Sequence, residues 1–155
     1  MTRPEAGPLL SPGFWLHHAA LTWRADLDAR LRPLGLTHTQ FMLLASLGWL
    51  EHLGGSPTQQ EVAEYAGADR MMTSRVVRTL MQAGLIDREA HETDGRAVRL
   101  SLTPAGRELG ARAIRVAQQV DRRFFGSDAP ALRDSLRAIA QLRGADAFSE
   151  DGGPS

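Results

Sequence analysis

There is no cysteine and no lysine in this chain of 155 residues. The missing thiols exclude together a disulfide framework, a thiolate zinc site, an iron–sulfur cluster, a cysteine nucleophile and any sensing by thiol oxidation. The missing lysines mean that all 18 basic residues are arginine, set against 18 acidic ones for a formal charge of zero. A genome of particular base composition would also produce that bias. Long apolar runs are lacking as well. No stretch approaches the roughly 20 residues of a membrane span, and the segment Met1 to Pro12 has no continuous apolar core of the kind a secretory signal needs. The expectation is a cytoplasmic protein without a membrane partner. With 43% hydrophobic and 23% charged residues the composition is that of an ordinary folded protein. The length suits one domain carrying interface elements better than a two-domain enzyme.

Enzymatic signatures are equally scarce. The histidines, His17, His18, His38, His52 and His91, offer no helical zinc-site motif, and no metal or cofactor is expected. Ser56 follows two glycines but precedes a proline in a loop between helices, which is not a strand-to-helix nucleophile elbow. There is no glycine-rich phosphate loop, and Asp26 and Asp28 do not share a helix face. The sequence predicts no enzyme.

What is present is regular punctuation. Ser11-Pro12 caps and starts a helix, along which Leu16, Ala20, Trp23, Leu27 and Leu31 form one apolar face until Pro33 and Gly35. Thr37-His38-Thr39-Gln40 has capping-box spacing and opens a second helix, apolar around nearly its whole circumference from Phe41 to Leu53 and therefore expected to be central. Thr58-Gln59-Gln60-Glu61 opens a short third helix ending at Gly67, and Asp69 caps a fourth whose inward positions are Thr73, Val76, Val77 and Leu80. Two short helices so closely joined are a helix-turn-helix. Leu85-Ile86 and the alternating Val98, Leu100, Leu102 then form two strands around an Asp94-Gly95 turn. Thr103-Pro104 starts a long helix with Leu109, Ala113, Val116, Val120 and Phe124 on one side. After Gly126, with Ser127 or Asp128 as cap, a last helix carries Leu132, Leu136, Ile139 and Leu142. The fold class is mainly α with a small β-hairpin wing: a winged helix-turn-helix with helical extensions at its N- and C-terminal ends. Residues 11–145 make the single domain, with 37–102 as the winged region between the helical stretches 11–36 and 103–145. Residues 1–10 and 146–155 read as flexible tails.

If Thr73, Val76, Val77 and Leu80 point inward, Met71, Ser74, Arg75 and Arg78 share the opposite face of the fourth helix, with Arg70 in its first turn. Arginine can bridge O6 and N7 of guanine, and serine can contact base or phosphate, so this face suits a DNA major groove. Solvated charges on a surface helix are the plainer alternative, although the eleven residues from Arg70 to Leu80 hold three arginines and no acid. Arg96, directly after the hairpin turn, can enter a minor groove or simply pair with Asp94. Charge is also partitioned: Arg70 to Arg123 holds 11 arginines and 6 acids, and the remainder 7 and 12.

From about Phe14 to Leu142 the chain resembles the multiple antibiotic resistance regulator (MarR) family of dimeric winged-helix transcription factors. The most specific stretches are Thr58-Gln59-Gln60-Glu61-Val62-Ala63, Thr73-Ser74-Arg75-Val76-Val77-Arg78-Thr79-Leu80 with Gly84-Leu85-Ile86, and Asp94-Gly95-Arg96 through Thr103-Pro104-Ala105-Gly106. The resemblance implies that the fourth helix reads the major groove, that Arg96 inserts into the minor groove and that Asp94 orients the wing. The DNA-binding candidates are thus Thr58, Arg70, Met71, Ser74, Arg75, Arg78, Asp94 and Arg96. Two departures stand out: Gly95 lies where such wings are often basic, and Met71-Met72 where small polar residues are common. Met71 is assigned to contact and Met72 to core.

Apolar stripes on the first and last two helices exceed what so small a winged helix can bury, and the resemblance implies a homodimer on a pseudo-palindromic double-stranded operator. It also implies a small, often aromatic effector, for which Trp15, His18, Trp23, His38 and Met42 are the candidate lining, with core packing as their alternative. The expected function is a ligand-released transcriptional repressor. The alternative is a helical dimer that binds a partner protein without touching DNA.

Overall fold

A computed structural model of the protein describes residues 7–90 and 97–141. Its helices are α1 (Pro12–Leu31), α2 (His38–His52), α3 (Gln59–Ala66), α4 (Arg70–Gln82), α5 (Pro104–Phe125) and α6 (Ala129–Gln141), with the antiparallel strands β1 (Ile86–Ala90) and β2 (Val98–Leu102) between α4 and α5. Most starts follow the caps in the sequence. Ser11 Oγ accepts from Phe14 N at 3.3 Å, and both Thr37 and Thr58 close full capping boxes with Gln40 and Glu61. Each such cap supplies a partner to an amide that would otherwise be orphaned, worth about 1 kcal/mol.

The core gathers around α2. Its Phe41, Leu43, Leu44 and Leu47 meet Leu27 and Leu31 of α1, Val62 of α3, Val77 and Leu80 of α4, Ile86 and Leu100 of the hairpin, and Ala113 and Val120 of α5. Burial of α2 stops short of its end: Trp49 and Leu53 are exposed, because the helix runs out beyond the elements that cover its middle. On α1 only Leu27 and Leu31 are buried and Trp23 is half-buried, while Leu16 and Ala20 face solvent. α6 has no buried residue at all, and Leu132, Leu136 and Ile139 are exposed. Leu142 lies outside the described residues. Part of the segment read as an N-terminal tail is ordered into a 3-10 turn, Pro8–Leu10, tethered by Trp15 Nε1 donating to Leu9 O at 2.9 Å. A second such turn, Gly126–Asp128, precedes α6.

Two joints hold the hairpin. Thr103 donates from its amide to Leu85 O and from its hydroxyl to Gly84 O, at 3.1 and 2.6 Å, while accepting from Gly106 N as the cap of α5. The Glu51 carboxylate at the end of α2 accepts from Leu102 N at 2.9 Å and from Arg107 at 3.3 Å. The loop before α3 adds a third, short edge: Leu100 N donates to Pro57 O at 3.0 Å and Thr58 forms a bridge with Arg99. The Arg99 guanidinium donates to Ser56 O across that edge.

Candidate nucleic-acid interface

α3 and α4 are set by a tight turn. Gly67 takes φ +68°, a conformation that favours glycine, letting Ala68 N reach Ala63 O at 2.9 Å; Asp69 then caps α4 through Met72 N at 2.8 Å. Thr73, Val77 and Leu80 are buried beneath α4 and Val76 is half-buried. The opposite side presents Arg70, Met71, Ser74, Arg75 and Arg78, all exposed, as the spacing predicts. Met71 is 78% exposed, an apolar side chain held in water at the start of the helix. Met72, assigned to the core, is 36% exposed instead. The inward position of that turn belongs to Thr73, whose hydroxyl bonds back to Asp69 O at 2.7 Å, so its neighbour stands at the rim.

Among the described residues no carboxylate forms an ion pair with Arg70, Arg75 or Arg78; the pairs found are Arg107–Glu51 and Arg133–Asp134. A helix face of unneutralised guanidiniums beside a methionine and a hydroxyl matches phosphate and base-edge chemistry. Thr58 sits half-buried at the start of α3, its hydroxyl accepting from Glu61 N at 3.1 Å. Asp94 and Arg96 lie outside the described residues. The sequence reading passed over Gln59, whose Nε2 donates to Ser74 Oγ at 3.3 Å and so links α3 to the outer face of α4. It also passed over Arg99 as the tie between β2 and the loop before α3. Gln59 had one available signal, its place directly after the cap on the helix preceding α4.

The five effector candidates do not form one cluster. Trp23 and His38 meet edge to face with ring centroids 5.4 Å apart, and Trp23 Nε1 donates to Asp121 Oδ1 of α5 at 2.8 Å. Met42 is half-buried against the same core. Trp15, 52% exposed, and His18 instead flank Phe14 near the start of α1. His38 is the distinctive member. Its amide donates to Asp28 Oδ1 at 2.6 Å, its Nε2 is buried without a partner among the described residues, and its pKa is held below the ordinary value of 6.5. Burial is the main cause, the Arg24 cation adds to it and Asp28 opposes it. Two surface clefts, one of about 190 Å³ between α1 and α5 and one of about 390 Å³ between α2, β2 and α5, include none of the five in their lining.

Residues 36–98 match the MarR family. Over 122 residues the chain is 38% identical to an uncharacterized HTH-type transcriptional regulator, YdcH, of Bacillus subtilis, covering 79% of this chain and 83% of that protein. It is 32% identical over 131 residues to the HTH-type transcriptional repressor Rv2887 of Mycobacterium tuberculosis, covering 84% and 91%. The crystal structure of Rv2887 in complex with salicylic acid aligns with a TM-score of 0.64 at 28% identity, over 90% of this chain and 99% of that one. The DNA complex of the transcriptional regulator MosR (Rv1049), also from M. tuberculosis, aligns with a TM-score of 0.71 at 28% identity, over 87% and 97%.

Proposed function

As a member of the MarR family of helix-turn-helix regulators, to which the chain belongs, the protein is one for which we propose the role of dimeric, sequence-specific repressor released by a small aromatic ligand. The observation that carries this reading is the outer face of α4, where Arg75 and Arg78 stand exposed, and unpaired among the described residues, around Ser74 and Met71. In this reading Arg70, Arg75 and Arg78 contact phosphates and guanine edges, and Met71 packs on a thymine methyl. Thr58 anchors the start of α3 at the backbone, and Arg96, oriented by Asp94, enters the minor groove. α1, α5 and α6 interlock two copies, so the paired α4 helices face successive major grooves of a pseudo-palindromic operator. Residues 37–102 read DNA, and residues 11–36 and 103–145 dimerise. The protein acts in the cytoplasm, and no catalysis enters the reading.

Trp23, His38 and Met42 supply the effector site at the junction of dimerising and DNA-reading elements. A buried imidazole nitrogen without a partner suits the acid or hydroxyl group of an aromatic ligand, the class to which the salicylic acid bound by Rv2887 belongs. Release requires that the ligand favour a head spacing that mismatches the operator. The test is titration of a palindromic promoter fragment at two salt concentrations. Affinity should fall about 100-fold or more between about 50 and about 200 mM salt, and salicylic acid should dissociate the wild-type complex but not that of His38→Leu. Affinity indifferent to salt contradicts the arginine account.

A further inference from the structure

We infer that Gln59 sets how Ser74 meets DNA: its hydrogen bond to the Ser74 oxygen leaves the hydroxyl proton free, so that Ser74 keeps a donor for hydrogen-bond acceptors of the DNA. The inference rests on the reading of α4 as the helix that contacts DNA.

α4 carries three hydroxyl side chains, Thr73, Ser74 and Thr79. Two of them spend their protons on their own helix: Thr73 Oγ1 donates to Asp69 O at 2.7 Å and Thr79 Oγ1 to Arg75 O at 3.2 Å. Ser74 does not. Its oxygen accepts from Gln59 Nε2 at 3.3 Å, and among the described residues its own proton has no acceptor. A hydroxyl has one proton and two lone pairs. With one lone pair directed at α3, the exposed side of Ser74 keeps the proton together with the second lone pair.

Among the described residues Gln59 Oε1 is buried without a partner, and so is Arg99 Nε, on the residue that bridges to Thr58 immediately before Gln59. Reversing the amide would turn the Ser74 proton inward.

An outward-facing donor matches O6 or N7 of guanine, N7 of adenine, O4 of thymine or a phosphate oxygen, and it finds no partner on the N4 amine of cytosine. Base edge and phosphate share acceptor chemistry, and the experiment separates them. Random DNA is enriched with the wild-type protein, Ser74→Ala, Gln59→Glu, Gln59→Met and the double variant Gln59→Glu/Ser74→Ala, after thermal melts have verified that each is folded. Glutamate in place of Gln59 accepts where the amide donated, so Ser74 turns its proton inward and shows lone pairs to the DNA.

If Ser74 meets a base, Ser74→Ala flattens one operator position, and Gln59→Glu shifts that position about fivefold away from guanine or thymine and toward bases with amino groups, while Gln59→Met blurs it. If Ser74 meets a phosphate, Ser74→Ala weakens all sequences alike. The loss caused by Gln59→Glu then shrinks about fivefold once Ser74 is absent, because only its charge repulsion remains. The inference is overturned if Gln59→Glu leaves the base profile unchanged and acts equally with and without Ser74. A wild-type protein that enriches no sequence removes the DNA-reading role and this inference with it. Binding with additive variants removes the inference alone.

Discussion

His38 shows how one side chain can carry both a packing role and a proton-linked one. Its ring packs against Trp23 and its pKa lies below 6.5, so the folded protein prefers the neutral imidazole. Above the unfolded-state value both states are neutral and the preference has no effect on stability. As the pH falls below it the unfolded chain binds the proton first, and stability is lost until the lower folded-state pKa is reached. The melting temperature should be lower at about pH 5.5 than at about pH 7.5, with part of that drop attributable to this group. His38→Gln should reduce that drop, and an unchanged drop would assign the pH dependence elsewhere. The two methionines of α4 make a different point. Met71 and Met72 look alike in a sequence, and the outward place of Met71 follows from helical spacing. Met72 stands at the rim because the inward position of that turn belongs to Thr73, which packing against the rest of the fold decides.

Elements were legible where their ends are chemical. Thr37, Thr58, Asp69 and Thr103 each cap the helix their spacing announced, since capping needs only residues three apart. The joint between α4, the hairpin and α5 was not legible, because it joins residues far apart in the chain. Gly106 is the sharpest instance. It is buried in the first turn of α5 against the Leu85 carbonyl, so closely that a Cβ would overlap that backbone oxygen. Gly106→Ala must therefore push the helix off the strand, and a loss of about 3 kcal/mol in urea denaturation is expected. A cost below about 1 kcal/mol would mean that the joint yields easily. Such a shift would also move Thr103 and Arg107, which tie the start of α5 to the turn after α4 and to α2.

For the molecule as a whole, the unburied apolar residues divide by location. Leu16 and Leu21 on α1 and Leu132, Leu136 and Ile139 on α6 are exposed, Ile139 to 58%, and the three on α6 share one face of a helix whose other face is polar. Amphipathic helices without a cover are stable only against a partner, and a second copy of the chain is the partner proposed above. Leu136→Asp combined with Ile139→Asp should halve the sedimenting mass and lower operator affinity about 100-fold, because two half-sites no longer act together. Unchanged mass would place the interface elsewhere. The partition of charge has its counterpart here, since the exposed arginines of α4 belong to the basic stretch that a zero net charge conceals.

Local rules account for what could be read along the chain: hydroxyl caps, proline at helix starts, period-two strands and the apolar face of each helix all involve neighbours within about four residues. They suffice for the order of elements, the winged helix-turn-helix and the outward side of α4. Long-range packing decided the rest. Which of the effector candidates meet, how Arg99 adds the loop before α3 to the hairpin, and that Gln59 holds Ser74 all depend on contacts between elements. Those contacts are fixed by how the helices close around α2, and a pattern of residues in one dimension carries no record of that closure.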